Sequence, residues 1–279
     1  MNTSSLLSDL HAAALERLGP EIESLRIERA VLGIFFTGVK LNNGAGGICA
    51  TPIKTVPEAV CCPSSAHAMP TPGKLSGLDV RQVLRDLDRP PGLRRGLAVA
   101  TLNAVAETLW MRDGPPAGAE VLGGDAFDAL ELRPGQSVVL VGAFPPYMRE
   151  LRRRGQPFKV LELDPATLKP EELPYYVPAA QAAQVIPFAD VLITTGTTLL
   201  NDTLDGLLQL LRPGARAAII GPTATLLAEP YARRHVAIVG GTRVTSPDTL
   251  LDLLAEGGSG YHFFEKTVER LTLRLPRDA

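Results

Sequence analysis

Cysteine is scarce in this sequence, with three among 279 residues. A small, odd number cannot supply the disulfide framework of a secreted module and fits a reducing compartment. An excess of one charge sign is also missing: 28 Lys and Arg nearly balance 30 Asp and Glu, a formal net charge of −2. Such a balance gives no bulk field to attract nucleic acid or an anionic membrane surface, so neither is an expected partner. No apolar run approaches the roughly 20 residues that span a bilayer. The first 19 residues, MNTSSLLSDLHAAALERLG, have no cationic lead-in and carry Asp9 and Glu16 inside their apolar pattern. They read as an amphipathic helix capped by Ser4 or Ser5 and not as a secretion signal, so the expected location is the cytoplasm. Hydrophobic residues make up 45% of the chain, enough to pack real cores and to exclude a mostly disordered protein.

Missing motifs narrow the chemistry further. There is no G-x-S-x-G elbow and no P-loop, and His11, His235 and His262 form no H-E-x-x-H arrangement. Acyl transfer and NTP hydrolysis of those types lose support. The turn Val141-Gly-Ala-Phe-Pro-Pro146 follows a predicted strand, where a dinucleotide fingerprint would place three glycines. Only Gly142 is present, and Pro145 and Pro146 remove two amide donors. Ordinary NAD or FAD binding is disfavoured, as is the common glycine-rich mode of binding S-adenosylmethionine.

What is present divides near Arg112-Asp-Gly-Pro-Pro-Ala-Gly-Ala119, a stretch that cannot sustain a helix. Two modest domains are expected, residues 1–115 and 116–279. In the first, Glu28–Lys40 reads as one strand, a Gly-rich bend follows, and Ile48–Thr51 reads as a second strand pairing with it. An irregular Pro-rich segment runs from Pro52 to Gly77, and helices are expected over Asp79–Leu87 and Arg94–Met111. In the second, strands at Ser137–Gly142, Phe158–Leu163, Ala189–Thr194, Arg216–Gly221 and Val236–Gly240 alternate with helices at Pro145–Arg154, Ala179–Val185, Leu199–Leu211, Leu226–Arg234 and Pro247–Ala255. That alternation predicts an α/β fold: a right-handed parallel sheet covered on both faces, in the Rossmann manner.

Candidate site residues gather at the expected strand ends. An acid at the end of the second strand of such a sheet can hold ribose hydroxyls; Glu162 is the better candidate, and Asp164, before Pro165, suits a cap. The string Thr194-Thr-Gly-Thr-Thr-Leu-Leu-Asn-Asp-Thr203 joins a buried strand to a helix. One of Thr197 and Thr198 would cap that helix, whose amino end could hold an anion. Capping does not explain why Thr195, Gly196, Asn201 and Asp202 occur together, and the loop is read as touching a ligand. Thr223, after Gly221-Pro222, would lie beside it. From the first half, Lys40 could reach an anionic ligand and Thr51 ends a strand. Asn103, in a helix of Ala, Leu and Val, must either bond a loop or face the pocket. Gly142 and Phe144 would shape the pocket wall. Cys61, Cys62 and His67 are soft metal ligands, but their spacing matches no common zinc pattern; Cys49 reads as a packed residue.

The strings VGAFPP, LELDP, DVLITTGTTLLNDTLDGLL and GPT together resemble the putative heavy-metal chelation family, and GVKL…GGICATP with LAVATLNAVAE looks like its amino-terminal partner. The likeness covers nearly the whole chain. It implies a small α+β domain with the fold of the enolase N-terminal domain, followed by a Rossmann-like domain, with a site in the cleft between them. It also implies a metal ion, metal chelate or related anionic small molecule as ligand, in metal homeostasis or metallocofactor supply, with the metal's identity open. By position, the cleft would be lined by Thr51, Asn103, Phe144, Glu162, Thr195, Thr197, Asn201 and Thr223, with Lys40 near. The competing expectation is a nucleotide-dependent enzyme with a degenerate Rossmann pocket. Whether the chain catalyses a reaction, and whether it forms a homo-oligomer, both stay open at this point.

Overall fold

The computed structural model describes residues 5–53 and 71–276. Helix α1 (Leu6–Leu18) starts on Ser5, whose hydroxyl accepts the Ser8 amide at 3.2 Å, and it buries Leu6, Leu7, Leu10, Ala14 and Leu18 at helical spacing. Strands β1 (Ile27–Leu32), β2 (Phe36–Leu41) and β3 (Gly46–Ala50) form a three-stranded antiparallel sheet in that order. The single strand expected over residues 28–40 is therefore two. The chain reverses at Gly33, whose N–H donates to the Phe36 carbonyl at 3.0 Å. A Cβ there would lie 2.6 Å from the Leu254 carbonyl oxygen, so a side chain is excluded by contact with a distant part of the molecule. Helix α2 (Val80–Leu84) is capped by Asp79, and α3 (Leu93–Asp113) lies against the small sheet with most of its length buried.

The large sheet has eight strands: β4 (Glu120–Leu122), β5 (Val138–Val141), β6 (Phe158–Glu162), β7 (Tyr176–Pro178), β8 (Val191–Thr195), β9 (Arg216–Ile220), β10 (Val236–Val244) and β11 (Val268–Arg274). Their order is β4-β11-β10-β9-β8-β5-β6-β7. From β10 to β7 every pairing is parallel, whereas β11 runs antiparallel to β10 and β4 antiparallel to β11. The sheet is thus mixed, not wholly parallel. Nor does the helix at 247–255 close the fold: α10 (Gly260–Phe263) and β11 follow it.

The remaining helices are α4 (Pro145–Arg153), α5 (Ala182–Val185), α6 (Thr197–Leu200), α7 (Leu204–Gln209), α8 (Ala228–Ala232) and α9 (Pro247–Ala255). The expected helix over 199–211 is broken into α6 and α7. Asp202 takes a left-handed conformation (φ 60°) at the break, and the Asn201 carboxamide oxygen accepts from the Thr203 amide and hydroxyl. Local side-chain bonds of this kind compete with helix continuation.

Alternate residues of β5 divide between two cores. Val139 joins an apolar cluster with α1, α3, α7 and α8, while Val138 and Leu140 pack with Tyr147, Met148 and Leu151 of α4 on the opposite face. Helices from the amino-terminal half therefore cover one face of the large sheet directly. Among the described residues, no helix is long and apolar enough to cross a membrane.

Candidate functional site

From β5 the chain builds outward to β6 and β7, then returns to add β8, β9 and β10 on the other side. The reversal falls between β5 and β8. At such a point the connections leave in opposite directions and open a crevice beyond the carboxyl ends of the strands. Residues 142–146 follow β5 there, and 195–197 stand at the end of β8.

Gly142 has φ 95°, a conformation L side chains rarely adopt, and a Cβ on it would lie 3.2 Å from Thr195 Cγ2. The two strand ends thus meet. One strand over, Glu162 ends β6; its Oε2 accepts the Ala143 amide at 3.1 Å and its Oε1 the Leu163 amide at 2.8 Å. Phe144 leads into α4, its ring stacked at 5.3 Å on Tyr147. Asp164, as expected, caps the next turn by accepting the Ala166 amide.

The threonine string is wired mostly to itself. Thr194 and Thr198 are buried, their hydroxyls 3.1 Å apart, and Thr198 donates to the Thr195 carbonyl at 2.7 Å. Thr197 donates twice to Thr195 Oγ1, from its amide at 3.4 Å and its hydroxyl at 3.2 Å. Thr195 Oγ1 is an acceptor in both bonds, which leaves its own proton to donate. Neither Thr197 nor Thr198 caps α6; the cap position is Gly196, without a side-chain bond. As α6 is only four residues long, little dipole accumulates at its start. Hydroxyl donors, more than a helix end, are what this loop offers.

Across β9, Gly196 sits so close to the next loop that a Cβ would lie 2.7 Å from the Ala224 amide nitrogen. Thr223, 1% exposed, accepts the Ala50 amide at 3.0 Å and so fastens the loop to β3. Asn103 of α3 donates to the carbonyls of Ile48 (2.8 Å) and Pro222 (3.2 Å), which fixes its carboxamide orientation; its Oδ1 is buried with no partner among the described residues. Of the two roles open to Asn103 in the sequence, the loop bond is present, to the Pro222 carbonyl. Thr51 donates to the Gly33 carbonyl at 2.8 Å and lies 3.0 Å from Thr37 Oγ1.

Contacts therefore run without a gap from Glu162 through Gly142, Thr195, Gly196 and Thr223 to Ala50 and Asn103. Three described candidates, Lys40, Thr51 and Asn201, direct their side-chain hydrogen bonds away from that chain. Lys40 is paired with Gly46 at the opposite end of the β2–β3 ladder from Ala50, with Nζ on Glu28 (2.8 Å) and Asp248 (2.7 Å). These hydrogen-bonded carboxylates raise its pKa, that of Asp248 most. Asn201 is exposed and bonded within its own turn. Cys61, Cys62 and His67 lie outside the described residues. Sequence reasoning passed over Arg95, 3% exposed, which grips Asp202 with both terminal nitrogens and ties α3 to the α6–α7 break. An arginine among Leu, Ala and Val near a helix start was the available signal.

Among the described residues no group of three or more His, Cys, Asp or Glu could hold a metal ion. The thiol of Cys49 is pushed up to about 12 by burial, so it stays protonated and is a poor ligand. The visible donors suit a ligand that arrives with its own coordination shell better than a bare heavy-metal ion.

An α/β protein with polar groups gathered at the reversal of its large sheet is thereby defined. The family model DUF364, described as putative heavy-metal chelation, matches residues 125–273, and DUF4213, with the same description, matches residues 15–106. The chain belongs to this family. An uncharacterized protein of Methanocaldococcus jannaschii is 27% identical over 185 residues, which is 66% of this chain and 67% of the relative. Two solved structures of family members of unknown function share the fold. The protein from Pyrococcus horikoshii matches with a TM-score of 0.76 and 20% identity over 97% of this chain and 100% of its own. That from Desulfitobacterium hafniense matches at 0.73 and 18%, over 96% and 98%.

Proposed function

We propose that the protein binds metal in complexed form, as a metal chelate or a metal oxyanion, at the crevice where the large sheet reverses and the β3 end of the small sheet approaches it. The role this suits is metal homeostasis or metallocofactor supply. The family description supports metal chelation only at that coarse level. The observation that carries the finer reading is the donor set: the Thr197-to-Thr195 hydroxyl relay ends in a proton with no acceptor among the described residues, and across the end of β5 stands a carboxylate held by two backbone amides. Hydroxyl donors recognise the oxygen periphery of a chelate or oxyanion, and the carboxylate accepts from a metal-bound water or ligand hydroxyl, whereas a naked soft ion would need thiolate or imidazole.

The test is metal analysis of natively purified protein, followed by calorimetric titration with molybdate, ferric citrate, and the aquo ions of nickel and zinc. Complexed metal should bind and the aquo ions should not, and Thr195→Val should weaken the complexed form about tenfold, the loss of one hydrogen bond to a charged ligand. Absence of binding by every complex above a buffer control, in folded protein, removes the proposal. Tight aquo-ion binding abolished by Cys61→Ser with His67→Gln would move the site to those residues.

The position of Glu162 favours one second reading, a nucleotide whose ribose it would hold. A thermal shift with an adenosine-containing cofactor, lost in Glu162→Ala, would select it.

A further inference from the structure

Beyond the end of β9 a hollow opens that the crevice does not use. It has a volume of about 80 Å³ and is bordered by Gly221 and Pro222, by Gly240, Gly241 and Thr242 of β10, and by Asp125, Tyr147, Phe264 and Arg270. Strand β9 pairs with β10 only as far as Ile220 opposite Gly240, while β10 continues to Val244. The hollow therefore sits where one strand stops and its neighbour runs on. A Cβ on Gly240 would lie 2.7 Å from that of Ala126, so the floor can carry no side chain.

Two opposite charges face this space, and both are held from behind. Asp125 Oδ1 accepts the Tyr147 hydroxyl at 2.6 Å and the Phe127 amide at 2.8 Å; its Oδ2 has no partner among the described residues. The bond to Asp125, after burial, is a main cause of the raised Tyr147 pKa, so the phenol remains a donor and fixes the carboxylate's orientation. The Arg270 guanidinium lies 4.1 Å over the Phe264 ring and reaches Glu265 at 3.3 Å through Nη1 alone. Its Nε and Nη2 have no hydrogen-bond partner among the described residues. Stacking on an aromatic face leaves a guanidinium's in-plane donors free to form a fork for a carboxylate.

We propose that this hollow is a binding site for an amino-carboxylate group, with the ligand's carboxylate on Arg270 and its ammonium on Asp125 Oδ2. A glycine floor, apolar walls from Ile220 and Leu271, and one charge of each sign match the head of an α-amino acid or one arm of an amino-carboxylate chelator. Acetate satisfies only Arg270 and methylamine only Asp125. The site stands independently of the crevice, although Gly221 and Pro222 border the hollow and lead directly into Thr223.

Saturation-transfer NMR on the full chain with metal-free probes tests it. Iminodiacetate and L-alanine should receive magnetisation, and acetate and methylamine at equal concentration should not. Arg270→Gln and Asp125→Asn should each weaken iminodiacetate about tenfold. Asp125→Asn keeps the Oδ1 acceptor and Arg270 is half exposed, so circular dichroism should show both variants folded. Binding of iminodiacetate without L-alanine identifies a chelator arm, and binding of both a free amino acid; each supports the site. No transfer to either amino-carboxylate, or iminodiacetate binding unchanged in both variants, overturns it. Because no metal is present, failure here is separable from failure of chelate binding in the crevice.

Discussion

Thr223 and Cys49 show how much single residues are asked to do where the two sheets meet. The Thr223 hydroxyl accepts an amide 173 residues away in sequence, and burial leaves no water to replace it. Thr223→Val keeps the shape and orphans the Ala50 N–H, which should cost about 1–3 kcal/mol, read as a lower urea midpoint at unchanged slope. Cys49 next door carries a thiol pushed up to about 12, by burial most of all. In the folded protein it should resist alkylation at pH 8 and react once urea unfolds the chain, as mass spectrometry can follow. The sign follows from the direction of the shift. Above pH 9 the unfolded chain releases this proton while the folded one retains it, so stability falls progressively from there toward pH 12. The sequence marked Thr223 as a chemical handle because nothing else in Gly-Pro-Thr could act. Its partner was not legible, since no local pattern encodes a bond between a loop and a strand half the chain apart. The same holds for Lys40: a glycine bend beside a lysine suggested a ligand, while the carboxylates of Glu28 and Asp248 that occupy it come from elsewhere in the fold.

At the scale of elements, continuous apolar strands and regular helices could be read directly, and interruptions could not. Strands β5, β6, β8 and β9 are short apolar runs in a buried parallel sheet, which is the pattern such strands must have. The β1–β2 reversal at Gly33 was hidden because Ile34 and Phe35, in the turn itself, look like strand residues yet are exposed. Strand β11 was missed because Val-Glu-Arg-Leu-Thr-Leu-Arg does not alternate cleanly, its burial running from two exposed residues to three buried ones. Contacts of β3 with α3 give a sharper instance of meaning that only packing reveals. A Cβ on Gly47 would lie 2.1 Å from the Ala100 carbonyl oxygen and 2.3 Å from the Ala104 nitrogen. Both are helix backbone and cannot rotate away, so Gly47→Ala must push strand and helix apart. We expect a loss of about 3 kcal/mol or more, seen as a markedly lower melting temperature. Gly206, with nothing within 4 Å of its would-be Cβ and a place inside α7, should by contrast gain from the same change, by up to about 1 kcal/mol.

Across the whole molecule, the linker-like stretch near residue 115 suggests two independent units, but the forces that hold the fold together ignore it. Leu6, Leu97 and Leu102 share one apolar cluster with Val139, Leu192, Ile219 and Tyr231. Polar ties cross as well: Arg234 to Asp9, Arg95 to Asp202, and Arg243 to Glu107 through two hydrogen bonds of 2.9 and 2.6 Å. Burial, with the Glu269 charge behind it, raises the Glu107 carboxyl in spite of Arg243, so its charged form weighs against folding, and that cost fades as pH falls through its folded value. Glu107→Gln, fixed in the neutral state, should therefore gain stability relative to the wild type between pH 4 and pH 7; the opposite trend would mean that the attraction to Arg243 outweighs the desolvation of Glu107. Because the apolar cluster spans residue 115, separating the halves would expose Leu6, Leu97 and their neighbours to water on one side and the α7–α8 face of the large sheet on the other. Each buried leucine so exposed forfeits roughly 2 kcal/mol, and a handful of them exceeds the net stability of an ordinary domain. We therefore expect one calorimetric transition whose van't Hoff enthalpy equals the measured enthalpy, and a fragment of residues 1–115 that does not fold alone. Two resolved transitions, or a fragment with dispersed amide resonances, would show instead that the amino-terminal half keeps a core of its own and that the crevice can open by hinging at the linker.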